Sequence, residues 1–147
     1  MERAADVGLT REQERSLADA LVMTWEQVRA LREAGMDVQS HTSTHRVLQT
    51  LAPRQLLAEL SESRATLEAV LGEPVRAIAY PVGKSLRAVP DIARAVREAG
   101  YELGFSNGTG VNWIHAFDAL DAKRLSMDRS MPDAFFRAVL AFPFLAY

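Results

Sequence analysis

Apolar residues recur along the chain at two alternating spacings. Segments with the three-to-four-residue period of a helix are separated by short apolar runs of a few residues. Helices that alternate in this way with short buried strands are typical of parallel sheets with crossover helices. The sequence therefore predicts an α/β fold, with residues 1–147 taken as a single domain.

Five segments combine helical periodicity with start or stop signals. Thr10 with Gln13, and Thr24 with Gln27, each match a capping box at a helix start. Glycines follow three of the segments, and glycine readily adopts the left-handed backbone that ends many helices. The predicted helices run from Thr10 to Val22, from Thr24 to a stop at Gly35, from Pro53 to Leu71, from Pro90 to a stop at Gly100, and from Asp133 to Phe142.

The predicted strands are short. They are Met36–Ser40, Val75–Tyr80, Leu103–Phe105 and Leu125–Met127. Pro81 and Gly83 end the second of them, and the turn-forming residues at 106–110 predict a loop. In barrels of parallel strands the chemistry lies where strands end, so the residues after Ser40 and after Tyr80 are where a functional site is expected.

The composition excludes several kinds of function. The chain has a net charge of -2 and contains no cysteine. Thiolate metal sites and cysteine nucleophiles are excluded, and any bound metal must be held by histidine, carboxylate or water. The charge does not suggest a nucleic-acid binder, and no apolar run reaches the roughly 20 residues that span a bilayer. None of these properties indicates a compartment.

Two histidines, His41 and His45, follow the first predicted strand. Their spacing of four residues allows both imidazoles to face one cation, and the small hydroxylated residues between them allow a tight turn. Taken alone, a His-x-x-x-His pair is more often a pair of capping or surface histidines. The position of this pair at a strand end favours a metal site.

Two later segments are weaker candidates. Ala79–Gly83 forms a sharp turn that is able to aim backbone N–H groups at an oxyanion, although an ordinary strand-ending turn has the same composition. In Leu125–Arg129, the residues Asp128 and Arg129 are in the simplest interpretation a solvated ion pair after a strand. Neither segment carries a functional prediction by itself.

The order of these segments resembles carbohydrate esterase family 4, the polysaccharide deacetylases with a NodB-homology domain. The similarity extends from Met23 to Arg129, and it is carried by Met23–Val28, Gly35, Ser40–His45 and Ala79–Gly83. The resemblance implies an irregular (β/α) barrel of which this chain is a part. It also implies that His41 and His45 bind a divalent metal, usually zinc, with cobalt or nickel as alternatives.

The resemblance assigns roles to other residues as well. It makes the backbone N–H of Val82 an oxyanion donor and places Tyr80 and Pro81 at the substrate. Asp128 aligns with a late histidine that supplies the family's general acid, and it either replaces that histidine or only pairs with Arg129. The implied reaction removes N- or O-acetyl groups from an acetylated polysaccharide or aminosugar oligomer.

The chain also departs from the family pattern. The Asp-Asp motif of the first barrel strand, which supplies a metal ligand and the catalytic base, has no counterpart, so the first strands are expected to be missing. Ala79 replaces an arginine of the proline-containing motif, and Val82 replaces a tyrosine. An incomplete barrel exposes strand edges, which predicts a homo-oligomer or marginal stability. The alternative function is a non-catalytic metal- or glycan-binding or interaction module derived from a deacetylase.

Overall fold

The computed structural model describes residues 8–143, and the chain divides into two compact units, one up to Val38 and one from Gln39. The first unit contains helices α1 (Arg11–Leu21) and α2 (Trp25–Glu33). Both helices begin with the predicted capping box, in which the threonine and the glutamine three residues later each accept a hydrogen bond from the other's backbone N–H. The first two helix predictions are therefore confirmed.

The second unit consists of helices and a three-stranded parallel sheet, which confirms the α/β prediction. The sheet order is β1-β2-β3, and Ser40 adds a single parallel bridge to Ile78 of the first strand. The elements are α3 (Pro53–Leu71), β1 (Ala77–Ala79), α4 (Pro90–Glu98), β2 (Leu103–Thr109), β3 (Ala122–Arg124) and α5 (Asp133–Ala141).

The helices of this unit agree closely with their predictions. Proline occupies the first turn of α3 and of α4, where its missing N–H costs no hydrogen bond. Gly72 follows α3 with a φ of 71°, and Gly100 follows α4 with a φ of 88°. These local signals lie within a few residues of each helix end, and they are readable from the sequence.

The strands differ from their predictions in extent. β1 lies inside the predicted segment Val75–Tyr80, but Met36–Ser40 is reduced to the bridge at Ser40. The predicted loop at 106–110 is wrong, because β2 continues to Thr109. The predicted strand Leu125–Met127 is also wrong, because the third strand ends at Arg124. The end of β2 pairs with β3, where Thr109 is the register partner of Arg124, and this pairing overrides the turn preference of residues 106–109.

The hydrophobic core of the second unit lies between the sheet and helices α3 and α4. Ile78 of β1, Leu60 of α3 and Val96 of α4 are each 0% exposed and belong to one cluster. Since side chains along a strand alternate between faces, Ala79 points away from this core, and so does its register partner Phe105. We call this second side of the sheet the inner face.

None of the helices in the described part of the chain is long and apolar enough to cross a membrane. Self-association and the single-domain interpretation stay predictions.

Replacement of Gly100 by alanine should destabilise the protein more than replacement of Gly72. Both glycines have a positive φ, but only at Gly100 would a Cβ atom meet the Arg64 guanidinium, which donates to the Ala99 carbonyl at 3.0 Å. Gly72→Ala is therefore the matched control for backbone strain. The free energy of unfolding in urea should fall by about 1–2 kcal/mol more in Gly100→Ala. Equal losses would show that the Arg64 contact contributes nothing.

Candidate functional site

The rings of His41 and His45 lie next to each other just after the bridge at Ser40. Their centroids are 4.9 Å apart and the ring planes meet at 68°, an edge-to-face arrangement. Both side chains are exposed. The structure therefore brings together the two residues that the spacing selects as metal ligands.

The His41 ring is oriented by the backbone of β1. Its Nδ1 lies 2.8 Å from the carbonyl oxygen of Ala79. A carbonyl only accepts hydrogen bonds, so Nδ1 carries the proton and, in the neutral ring, Nε2 keeps its lone pair. Metal-binding histidines commonly donate their second nitrogen to a carbonyl or carboxylate in this way, which fixes the tautomer and the ring direction.

Glu59 on α3 holds the loop between the two histidines. Its Oε1 accepts from the Thr44 N–H at 2.5 Å, and its Oε2 accepts from the Thr44 hydroxyl at 2.9 Å. Burial alone would raise the pKa of this carboxyl, but hydrogen bonds from the loop, the largest contributions coming from Thr44, outweigh burial, and the pKa lies below its ordinary value. The residue before His45 is thus fixed by an ionised carboxylate that is itself only 8% exposed.

A cluster of buried hydroxyl groups fixes the start of the same loop. Ser40 Oγ accepts from the Tyr101 hydroxyl at 2.8 Å and lies 2.8 Å from Ser63 Oγ. It also accepts from the Thr42 N–H at 3.2 Å. The Ser40 side chain therefore points to the helices, and the histidine loop is anchored at both ends.

The second candidate feature is the turn that follows β1. Residues Pro81–Gly83 form one 3₁₀ turn, in which Val82 has a φ of 60° and a ψ of -17°. A β-branched residue seldom adopts this left-handed conformation, and such residues occur often at functional turns. The side chain of Val82 is 57% exposed. The predicted oxyanion donor is thus a surface residue, and it lies at the carboxyl end of a parallel strand.

Tyr80 and Pro81, which are predicted to contact substrate, lie directly before this turn and at its first position. Tyr80 is 2% exposed, and its hydroxyl donates to the Leu120 carbonyl at 2.7 Å. Burial, together with the nearby Asp121 carboxylate, raises the pKa of Tyr80 far above its ordinary value. Both side chains are buried, which leaves them little surface to offer a substrate.

Asp128, the predicted general acid, caps a turn. Its Oδ1 accepts from the Ser130 N–H at 2.7 Å and from the Ser130 hydroxyl. These bonds lower the pKa of the exposed carboxyl, the hydroxyl of Ser130 contributing most. A carboxyl that is ionised at neutral pH has no proton to donate, so this geometry favours the turn role.

No group of three His, Cys, Asp or Glu side chains within residues 8–143 is arranged to share a metal ion. Within this part of the chain, the candidate metal site is therefore limited to the side chains of His41 and His45.

Comparison with known proteins connects this geometry to one family. The family model described as polysaccharide deacetylase matches residues 10–104, which include both histidines and the turn at Val82. The chain is 28% identical over 88 residues to YxkH of Bacillus subtilis (strain 168), a protein assigned to the polysaccharide deacetylases; the match covers 60% of this chain and 30% of YxkH.

Two solved structures show the same fold. The Streptococcus pyogenes deacetylase PplD, solved in complex with acetate, has a TM-score of 0.73 and 23% identity, over 84% of this chain and 53% of PplD. BC0361, a polysaccharide deacetylase from Bacillus cereus, has a TM-score of 0.68 and 24% identity, over 79% of this chain and 36% of BC0361. The neighbours are deacetylases of the (β/α) barrel type, and the chain spans between about a third and about half of the length of these relatives.

Replacement of Glu59 by glutamine should destabilise the protein. One of the two Thr44 donors would then face an NH₂ group instead of an oxygen, and a hydrogen bond to a charged group contributes about 1.5–3 kcal/mol. Urea unfolding of Glu59→Gln measures this loss. Glu62→Gln, an exposed neighbour on the same helix, is the matched control and should change stability little. A loss of the same size in both variants would show that the hydrogen bonds of Glu59 to Thr44 do not stabilise the loop.

The stability difference between the wild type and Glu59→Gln should depend on pH. The folded-state pKa of Glu59 is lowered, so its contribution is fully present above the unfolded-state pKa of about 4.3. The contribution is lost as the pH falls through the lower folded-state pKa. The difference in unfolding free energy should therefore shrink between pH 6 and pH 3, and a difference that grows on acidification would contradict the lowered pKa.

Proposed function

Because the chain belongs to the polysaccharide deacetylase family, we propose that it takes part in the metal-dependent hydrolysis of N- or O-acetyl groups on a polysaccharide or aminosugar oligomer. The observation that carries the proposal is the pairing of His41 and His45, with the His41 ring oriented by the Ala79 carbonyl. Two imidazoles held side by side at a strand end suit a divalent cation better than a packing role.

The donor set of the site fits zinc, and cobalt or nickel as alternatives. His41 and His45 would hold the ion, which when bound would polarise the acetyl carbonyl and lower the pKa of a bound water to about 7. Catalytic zinc sites commonly have three protein ligands. With two from the described residues, the affinity of this site for zinc is expected to be weaker than that of a complete site.

The turn at Val82 supplies the second part of the proposed chemistry. Hydrolysis of an acetyl group passes through a tetrahedral oxyanion, which backbone N–H groups stabilise when they are fixed in advance. The histidine loop lies close to the Val82 turn along the chain. His41 Nδ1 is hydrogen-bonded to the Ala79 carbonyl, and Val82 lies three residues after Ala79. This proximity supports the assignment of the Val82 N–H as the oxyanion donor.

A second candidate function is a non-catalytic module that binds a metal or a glycan without hydrolysis. It is favoured by the two-ligand site of the described residues and by the ionised, turn-bound state of Asp128. The two candidates share the histidine pair, so metal binding alone does not separate them.

Acetate release in the presence of zinc or cobalt should distinguish the hydrolase from the non-catalytic module. The full chain is incubated with an acetylated chitooligosaccharide or a simple aryl acetate, and metal binding is measured in parallel by calorimetry. His41→Ala and His45→Ala should lose metal binding and acetate release together. His115→Ala, which removes an exposed histidine far from the loop in sequence, is the matched control and should behave like the wild type.

Each result has a distinct meaning. Acetate release that survives in both histidine variants would refute the proposed metal site. Metal binding without any release would support the non-catalytic module. Absence of both in the wild type would refute the two candidates in their metal-dependent form.

A further inference from the structure

Asn107 links the turn at Val82 to the sheet. Residue 107 lies on β2, two positions after Phe105, and its side chain is exposed. Its Nδ2 donates to the carbonyl oxygen of Val82 at 3.2 Å. This bond joins the central strand of the sheet to Val82, whose backbone is left-handed.

Arg124 holds the Asn107 side chain in place. Its Nη2 donates to Asn107 Oδ1, and its Nε donates to the Ser106 carbonyl at 2.9 Å. The guanidinium is a rigid planar fork, so two bonds to adjacent residues of β2 fix its position. Because Oδ1 is occupied by Arg124, the amide is orientated with Nδ2 toward the turn.

Gly83 lets the amide of Asn107 approach the turn closely. A Cβ atom at position 83 would lie 2.3 Å from Asn107 Cγ, which is far inside van der Waals contact. The φ of Gly83 is 68°, so a side chain there would meet backbone strain as well. The side chain of Asn107 therefore packs directly on the backbone of the turn.

The contact with Asn107 restricts the peptide group that follows Val82. The peptide plane after Val82 is fixed by the bond from Asn107 to its carbonyl, because C=O and N–H of one trans peptide are rigidly coupled. Before Val82, the ring of Pro81 restricts its own φ. The left-handed Val82 backbone, which is unfavourable for this residue type, is thus held from outside the turn.

We propose that Asn107 and Arg124 are positioning residues for the Val82 turn, which they hold in the conformation that presents its backbone N–H to an oxyanion. This inference rests on the proposed function for its catalytic consequence, but not for the rigidity of the turn. Neither residue is assigned contact with the reacting atoms. Sequence inspection alone does not show this role, because the two residues are 17 positions apart and meet only through the pairing of β2 with β3.

The rigidity of the turn can be measured without activity. Backbone ¹⁵N relaxation of the full chain should give order parameters near 0.85 for Val82 and Gly83, and below about 0.6 in Asn107→Ala. Asn107→Asp keeps the acceptor for Arg124 but loses the donor to Val82, so it should loosen the turn in the same way. Unchanged order parameters in both variants would overturn the proposal.

Asn112→Ala is the matched control. The Asn112 side chain makes two hydrogen bonds of 2.9 Å to the backbone of Lys123, and no bond to the turn. The same substitution there should leave the order parameters of Val82 and Gly83 unchanged. If Asn112→Ala loosens the turn as much as Asn107→Ala, the effect is general destabilisation and the proposal fails.

Kinetics then test the catalytic consequence. In a zinc-loaded wild type that releases acetate, Asn107→Ala and Asn107→Asp should lower kcat by at least about tenfold, and by up to the 10²–10³-fold seen when an oxyanion donor is lost. KM and zinc affinity should stay constant, because the histidine loop is anchored independently by Glu59 and Ser40. A flexible turn with unchanged kcat would overturn the positioning role.

The two failures are distinguishable. If the wild type releases no acetate, the proposed function fails, and the relaxation data alone decide whether Asn107 holds the turn. If the wild type is active and the turn stays rigid in both variants, the proposed function stands and the positioning role falls.

Discussion

The hydrogen bond from His41 Nδ1 to the Ala79 carbonyl joins the histidine loop to the end of β1, and the arrangement of the candidate site depends on it. The bond selects one tautomer of the ring and leaves Nε2 as the potential ligand. It requires the parallel bridge between Ser40 and Ile78, which places the loop beside the strand. That bridge is supported in turn by the buried hydroxyls around Ser40 Oγ. The site therefore depends on the packing of α3 and Tyr101 beneath the sheet.

Backbone strain in the described residues is concentrated at this site. The non-glycine residues with a positive φ between positions 8 and 143 are Thr42, His45 and Val82. The first two lie in the loop after Ser40, and Val82 lies in the turn after β1. Each loop is held by a polar side chain from a neighbouring element, Glu59 in one case and Asn107 in the other. Strained backbone persists only where its surroundings over-determine it, and both loops meet that condition.

Local sequence signals predict the helices of this chain but not the extent of its strands. The capping boxes at Thr10 and Thr24 and the glycine after α3 act within a few residues, so the helices are predictable from the sequence. The strands depend on pairing between distant segments, and residues 106–109 are accordingly mistaken for a loop. His41 and His45 are selected by their position after a predicted strand and by the family resemblance, but Asn107 and Arg124 carry no sequence signal. Glu59 does carry one, because it lies between Leu56 and Leu60 on the apolar face of its helix, and a buried carboxylate there requires a partner.

At position 82, in the turn after β1, the side chain and the backbone conformation are determined separately. The side chain of Val82 is 57% exposed, whereas the conformation of its backbone is set by the neighbours Pro81, Gly83 and Asn107. The residue at position 82 can therefore change, and with it the surface of the turn, without a change in the hydrogen bonds that fix the backbone. Position 83 must stay glycine, because any side chain there would collide with the amide of Asn107, which donates to the Val82 carbonyl.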